Sequence, residues 1–251
     1  MPRIGGDEAT GTYRITGSNF KFTGARLTRL GATEYTLVTI AVDVTGSTAP
    51  FANELRRALI AAVDSCKKSP RSNNLLIRVI TFATTFRDGV NEIHGFRQLA
   101  DINPNDYPPF RPAGMTPLFD AVYSAAGAMV EYGVDMVNND FLVNGIVFII
   151  TDGADNRSTM TPGMIKAQIA KVTLGEALES MVTVLVGINA TQYRRELEIF
   201  QQEAGLDQYI DVGEITIGKL AKLAAFVSQS VSSQSQAIGT GGPSQNIAPT
   251  I

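Results

Sequence analysis

With 251 residues, 44% of them hydrophobic, the chain can bury one large α/β core or two small ones. Lys and Arg number 21 against 24 Asp and Glu, a net charge of -3, so there is no basic field to attract nucleic acid and a DNA or RNA partner is disfavoured. Cys66 and His94 are each the sole residue of their type, which excludes a disulfide framework and a cysteine-based zinc site.

The opening "MPRIGGDEATGTYR" lacks the apolar segment of a secretory signal, and no run approaches the roughly 18 apolar residues of a membrane span. The expectation is a soluble, cytoplasmic protein with no membrane partner. Residues 1–34 are polar and glycine-rich, with short alternating segments around Tyr13 and in "NFKFTGARLTRL" that suit an N-terminal β-hairpin. From Tyr35 the pattern sharpens. "TLVTIAV" reads as a strand buried on both faces, as in the centre of a parallel sheet. Phe51, Leu55, Leu59, Ala62, Val63 and Cys66 then recur at helical spacing, with Pro50 suited to a first helical position and Cys66 to a core site.

"LLIRVITFATTF" and "VNEIHGFRQL" form two strands joined at Asp88-Gly89 as a hairpin. The second has polar neighbours around His94, which predicts an antiparallel edge strand with a solvent-facing histidine. A proline-rich loop follows from Pro104 to Pro117, and Leu118, Val122, Ala125 and Met129 mark a helix that Thr116 would cap, with Pro117 at its first position. "GIVFIITDG" is a buried strand, Pro162 to Glu179 a helix, "MVTVLVGIN" a strand and Gln192 to Ala204 a helix. A strand at Tyr209 to Val212 and a final helix from about Thr216 complete the alternation. This predicts an α/β fold of Rossmann-like, doubly wound type: a mostly parallel central sheet with one antiparallel edge strand and helices on both faces. Residues 35–230 form the domain, and the Ser/Gln/Gly/Pro-rich residues 231–251 are expected to be a flexible tail.

In such a sheet, ligands bind beyond the carboxyl ends of the strands, near the point where strand order reverses. "AVDVTGSTAP" puts Asp43, Thr45 and Ser47 at alternate positions at the end of the first central strand. Asp152 ends a later strand in "FIITDG", and Thr116 lies in the loop of "AGMTPLFDA". Each has an ordinary alternative: a polar turn, a turn after a strand, a helix cap. Together they are two carboxylates and three hydroxyls. This all-oxygen set suits Mg²⁺, with Mn²⁺ or Ca²⁺ as alternatives, rather than zinc. Two carboxylates only match the ion's charge, which leaves room for an acidic oxygen from another molecule. Asp155 and Asn156 read as ordinary loop residues or as support for the site.

"VDVTGS", "GMTPLFDA" and "FIITDG", in that order, resemble the three pieces of the metal-ion-dependent adhesion site (MIDAS) of von Willebrand factor A (VWA) domains. The resemblance implies that Asp43, Thr45, Ser47, Thr116 and Asp152 hold one divalent cation, with either aspartate bound directly or through water. Thr45 stands where the family pattern has serine, keeping the hydroxyl but adding a methyl and a stiffer side chain. "FRPAGMTPLFDA" and "LAAFVSQSVSSQSQ" are most similar to the bacterial TerY-like (tellurium-resistance) group, which implies a stress-response or phage-defence setting.

The resulting expectation is a non-enzymatic, metal-dependent protein-interaction module whose ion captures a Glu or Asp of a protein partner. One alternative is a structural subunit of an oligomer or larger assembly, with an ion that serves only local order. The other is a Mg²⁺-dependent phosphoryl-transfer enzyme with Asp43 as nucleophile, disfavoured because Thr45 occupies the place of the acid/base carboxylate.

Overall fold

In the computed structural model, which describes residues 9–174 and 178–240, the β-branched run after Tyr35 becomes strand β3 (Glu34–Asp43), buried from Tyr35 to Asp43. Before it come β1 (Thr10–Arg14) and β2 (Lys21–Ala25). After it the chain alternates α1 (Ala52–Cys66), β4 (Leu75–Phe82), β5 (Val90–Gln98), α2 (Leu118–Val137), β6 (Leu142–Thr151), α3 (Pro162–Leu174), β7 (Ser180–Ile188), α4 (Arg194–Ala204), β8 (Gln208–Gly213) and α5 (Ile217–Thr240).

The strands form one eight-stranded sheet in the order β1-β2-β5-β4-β3-β6-β7-β8. β4, β3, β6, β7 and β8 are mutually parallel, and β5 is antiparallel to β4. Order reverses at β3, whose next strand in the chain lies on one side and β6 on the other. The end of β3, at Asp43, is therefore the topological switch point where ligands of such sheets bind. One apolar core packs α2, α3 and α4 on one face, with Leu37, Ala41, Met129 and Ile165 at its centre. The other packs α1 and α5 on the opposite face, around Val38, Ile40, Leu59 and Val227. The near-continuous apolar strands follow from this double coverage.

The hairpin β1–β2 continues the sheet past β5, so the antiparallel strand is itself covered along its outer side. β2 meets β5 in parallel at a single register pair, Gly24 with Phe96. Glycine is required there: a Cβ at Gly95 would overlap the Thr23 carbonyl, and one at Gly24 would come within 2.8 Å of the Tyr132 ring. Aromatic rings bind the hairpin to α2. Tyr13 stacks on Phe22 at 5.1 Å and meets the Tyr132 ring edge-on at 5.3 Å, and the Tyr132 hydroxyl donates to Ala25 O at 2.6 Å.

Four local expectations need correction. His94 is buried, at 7% exposure, because Tyr107 from the proline-rich loop covers it and its ring nitrogens bond Tyr107 Oη and Gly95 O, both at 2.9 Å. Residues 231–240 continue α5 instead of starting a loose tail: Val231, Gln234, Ser235 and Ile238 are buried, and Asn144 Nδ2 on β6 donates to Gln234 O at 2.7 Å. The rest of the expected tail, residues 241–251, lies outside the described residues. Pro50 sits inside a short 3-10 turn, Gly46–Phe51, so α1 begins two residues later. The helix expected from Pro162 to Glu179 is described as far as Leu174; Glu179 already belongs to the connection, donating its N–H to Val143 O at 2.8 Å, and residues 175–177 lie outside the described residues.

Candidate metal centre

The chain leaves β3 at Asp43 and turns through Thr45 into the 3-10 turn. Asp43 sets this turn: one carboxylate oxygen accepts the Thr45 N–H at 2.8 Å, and the other accepts Thr151 Oγ1 from the neighbouring β6 at 2.7 Å. Thr151 therefore ties two strand ends together, and β6 delivers Asp152 one residue later. Ser47 Oγ donates to Asp152 Oδ1 at 2.9 Å. Thr45 Oγ1 lies 3.2 Å from Ser47 Oγ, and Thr116 Oγ1 donates to Thr45 Oγ1 at 3.5 Å. All five residues named from the sequence thus meet at the switch point, from three separate parts of the chain.

Thr116 is held there by its loop and not by a capping role. Pro117 occupies the position before α2 and no side-chain cap bond forms. The loop is instead docked through its backbone: Ala113 N donates to Val44 O at 3.0 Å, Gly46 N to Gly114 O at 3.1 Å, and Thr84 N to Met115 O at 3.1 Å. Gly114 adopts φ +79°, where a side chain would be strained and a Cβ would crowd Thr84. From the other side, Asn156 Oδ1 accepts the Thr116 N–H at 2.8 Å, and Asn156 N returns a bond to Thr116 O at 3.1 Å. Asp155 accepts from Phe119 N at 3.2 Å and from Ser158, while Asp120 accepts from Thr159 N at 2.9 Å and Met160 N at 2.8 Å. Asp155, Asn156 and Asp120 therefore brace the loop that carries Thr116.

Asp43 is wholly buried, and burial pushes its carboxyl up from 3.8 to about 6, with the nearby Asp152 charge adding to the shift against the hydrogen bonds that lower it. Asp152 is raised as well, again chiefly by burial. Among the described residues, neither carboxylate has a Lys, Arg or His ion-pair partner. Two buried carboxylates with no protein cation are a place where a cation lowers the free energy.

The spacing fits too. Adjacent ligands of an octahedral ion at about 2.1 Å lie about 3.0 Å apart, and at the longer distances of Ca²⁺ about 3.4 Å. The donor spacings of 2.9, 3.2 and 3.5 Å span these values. No group of three or more His, Cys, Asp and Glu side chains converges among the described residues, so any ion here depends on hydroxyls. Thr45, Ser47, Thr116 and Asp152 line an open cleft of about 670 Å³ with Met115, Tyr193 and Gln192 on its rim. Asp43 lies beneath this lining.

No protein-family model and no curated protein matches the sequence. Solved structures do. The chain is similar to the pilus adhesin SpaC from Lactobacillus rhamnosus GG, with TM-score 0.57 and 12% identity, covering 86% of this chain and 32% of that one. It is also similar to proximal thread matrix protein 1 of the mussel byssus, with TM-score 0.51 and 18% identity over 80% of this chain and 47% of that one. A further structure of the matrix protein has a zinc-occupied MIDAS motif. This chain spans about a third of the adhesin and under half of the matrix protein. At these identities the likeness defines the fold: a VWA-like α/β domain.

Proposed function

We propose that this domain is a metal-dependent protein-interaction module. A divalent cation, Mg²⁺ by the chemistry of the donors, is held by Thr45, Ser47, Thr116 and Asp152, with Asp43 below supplying charge directly or through water. When bound, the ion supplies an electrophilic position for a carboxylate oxygen of a partner's Glu or Asp. One observation carries this reading: five oxygen donors with only two carboxylates converge at the switch point, four of them on the floor of a cleft open to solvent and Asp43 just beneath. Around that floor, Met115 is 52% exposed and Tyr193 36% exposed; both residue types are common in protein interfaces. The solved neighbours, an adhesin and a thread matrix protein with a MIDAS motif, are in keeping with a binding role.

Binding is favoured over catalysis because the described lining of the cleft contains no His, Lys or Cys, and Asp155 is engaged by Ser158 and Phe119. The sole histidine faces Tyr107 in the core. The closer kinship with the TerY-like group, a stress-response or phage-defence setting and a cytoplasmic location belong to the same proposal, and rest on the sequence likeness of the Thr116 loop and of α5.

Mn²⁺, standing in for Mg²⁺, tests both halves. Water-proton relaxation should show one tight Mn²⁺ site that competes with Mg²⁺, and acetate, as a carboxylate probe, should displace water from the ion. Unchanged Mn²⁺ affinity in Asp152→Ala and Thr45→Val would sink the metal assignment. Retention of ion-bound water at saturating acetate would sink the capture role.

A further inference from the structure

On the face of the sheet covered by α2, tucked under the N-terminal hairpin, lies a second polar cavity of about 410 Å³. None of its lining residues belongs to the metal cleft. Arg78 lies just behind its inner wall. This arginine is on β4 in the middle of the sheet and is wholly buried, an unusual place for a charge that cannot be given up. Its Nε donates to Glu92 Oε2 at 2.8 Å. Its two amino groups reach Ser124, Nη1 to the carbonyl and Nη2 to the hydroxyl, both at 3.4 Å, slightly longer than usual, and the guanidinium lies over the Phe22 ring, 5.7 Å from its centroid. Nε is therefore well paired and the two amino groups are held only by longer bonds. Thr39, the register partner of Arg78 on β3, carries a buried hydroxyl with no partner among the described residues.

Three more cations ring the mouth: Arg14 ends β1, Lys21 begins β2 and Arg87 lies in the turn between β4 and β5. All three are exposed, and none has an ion-pair partner among the described residues. Against these four cations stand Asp88 and Glu92. Glu92 is already committed: beyond Arg78, its other oxygen accepts Thr23 N at 2.9 Å and Thr23 Oγ1 at 2.7 Å. The cavity is thus a concentration of positive charge in a chain whose net charge is -3. Like other small-molecule sites it falls within about 300–1,000 Å³, and Phe20 and Val90 supply an apolar wall.

We propose that this cavity binds a phosphate monoester. The exposed rim cations Arg14, Lys21 and Arg87 suit the dianionic charge of a phosphoryl group. The volume beyond the phosphoryl group accommodates an organic body of about nucleoside size. Isothermal titration calorimetry on the full chain tests this, with AMP and inorganic phosphate as probes and adenosine as the uncharged control. EDTA throughout and constant ionic strength keep the metal centre from contributing, so the result is independent of the function proposed above.

Saturable binding of AMP is expected, with phosphate weaker or absent and adenosine silent. Affinity should fall at least tenfold in Lys21→Glu and in Arg87→Glu, whose exposed side chains can be replaced without disturbing the core; circular dichroism verifies that both variants fold. Binding of inorganic phosphate without AMP would overturn the monoester assignment. The proposal is overturned if neither probe binds, if adenosine binds as well as AMP, or if both charge-reversal variants bind as the wild type does.

Discussion

Asp43→Asn should make the metal-free protein more stable, not less. The Asp43 carboxyl is fully buried and holds its proton up to about 6 in the folded chain against 3.8 for an unperturbed aspartate. The raised value means that stability present below pH 3.8 is lost as pH rises through about 6. Above that, the ionised group costs the fold about 3 kcal/mol, from about two units at about 1.4 kcal/mol each. Asparagine carries no charge and fits the same bonds. Its Oδ1 can accept the Thr45 N–H, and its Nδ2 can donate to Thr151 Oγ1, whose own proton then serves Gly153 O, already 2.9 Å away. Allowing for weaker neutral hydrogen bonds, the variant should gain about 2 kcal/mol near pH 7.5 in EDTA. The gap should narrow by about 2 kcal/mol near pH 4.5, where the wild-type side chain is largely protonated. Urea unfolding followed by circular dichroism at both pH values measures this. In millimolar Mg²⁺ the order should reverse, because only the wild type gains the ion's binding energy. A variant that is less stable than wild type in EDTA near neutral pH, or a gap that ignores pH, would refute the reasoning.

Asn156→Ala removes the acceptor of the Thr116 N–H and should cost about 1 kcal/mol of stability, together with a several-fold loss of Mn²⁺ affinity by relaxation titration; stability loss alone would mean that the loop is held by its other contacts. Glu92→Gln leaves the buried Arg78 charge without its carboxylate and should cost about 3 kcal/mol in urea unfolding, at the low end for a broken buried pair because Glu92 is partly exposed. Burial lowers the His94 pKa below 6.5, and the adjacent Arg97 charge adds to the effect. The stability this residue contributes is therefore present above pH 6.5 and lost as pH falls. His94→Asn should flatten that acid-side loss in an unfolding series, an effect opposite in sign to that of Asp43.

The sheet and its helices were legible because period and composition agree in the segments that build them. Tyr35 to Asp43, Leu75 to Phe82 and Ile146 to Thr151 are β-branched runs that make sense only between two layers of helix. The convergence of the five donors was legible because β3 and β6 end side by side and the loop before α2 docks on the same end of the sheet. What the sequence concealed depends on contacts between distant residues. Polar neighbours around His94 read as an exposed edge, since nothing local announces that Tyr107 and the hairpin will cover that strand. The Ser/Gln composition after Ser230 hides the spacing of Val231, Gln234, Ser235 and Ile238 along one buried side of α5. Asp155 and Asn156 look like any polar loop until Thr116 and Phe119 are seen to depend on them. Arg78, inside an otherwise apolar strand, was the one local signal that could have pointed to the second cavity.

The N-terminal hairpin is also a question of timing. Its two strands leave the ribosome before the rest of the domain, yet Thr23 bonds Glu92, Ala25 bonds Tyr132 and Tyr13 reaches Asp135 at 3.3 Å, 122 residues on in the chain. At about 5–20 residues per second of synthesis, the hairpin waits on the order of ten seconds for the surface that holds it. Until then Tyr13 has no Tyr132 ring and Phe22 no Phe96 ring to pack on, so a chaperone added during synthesis should raise the soluble yield more than the same chaperone added afterwards.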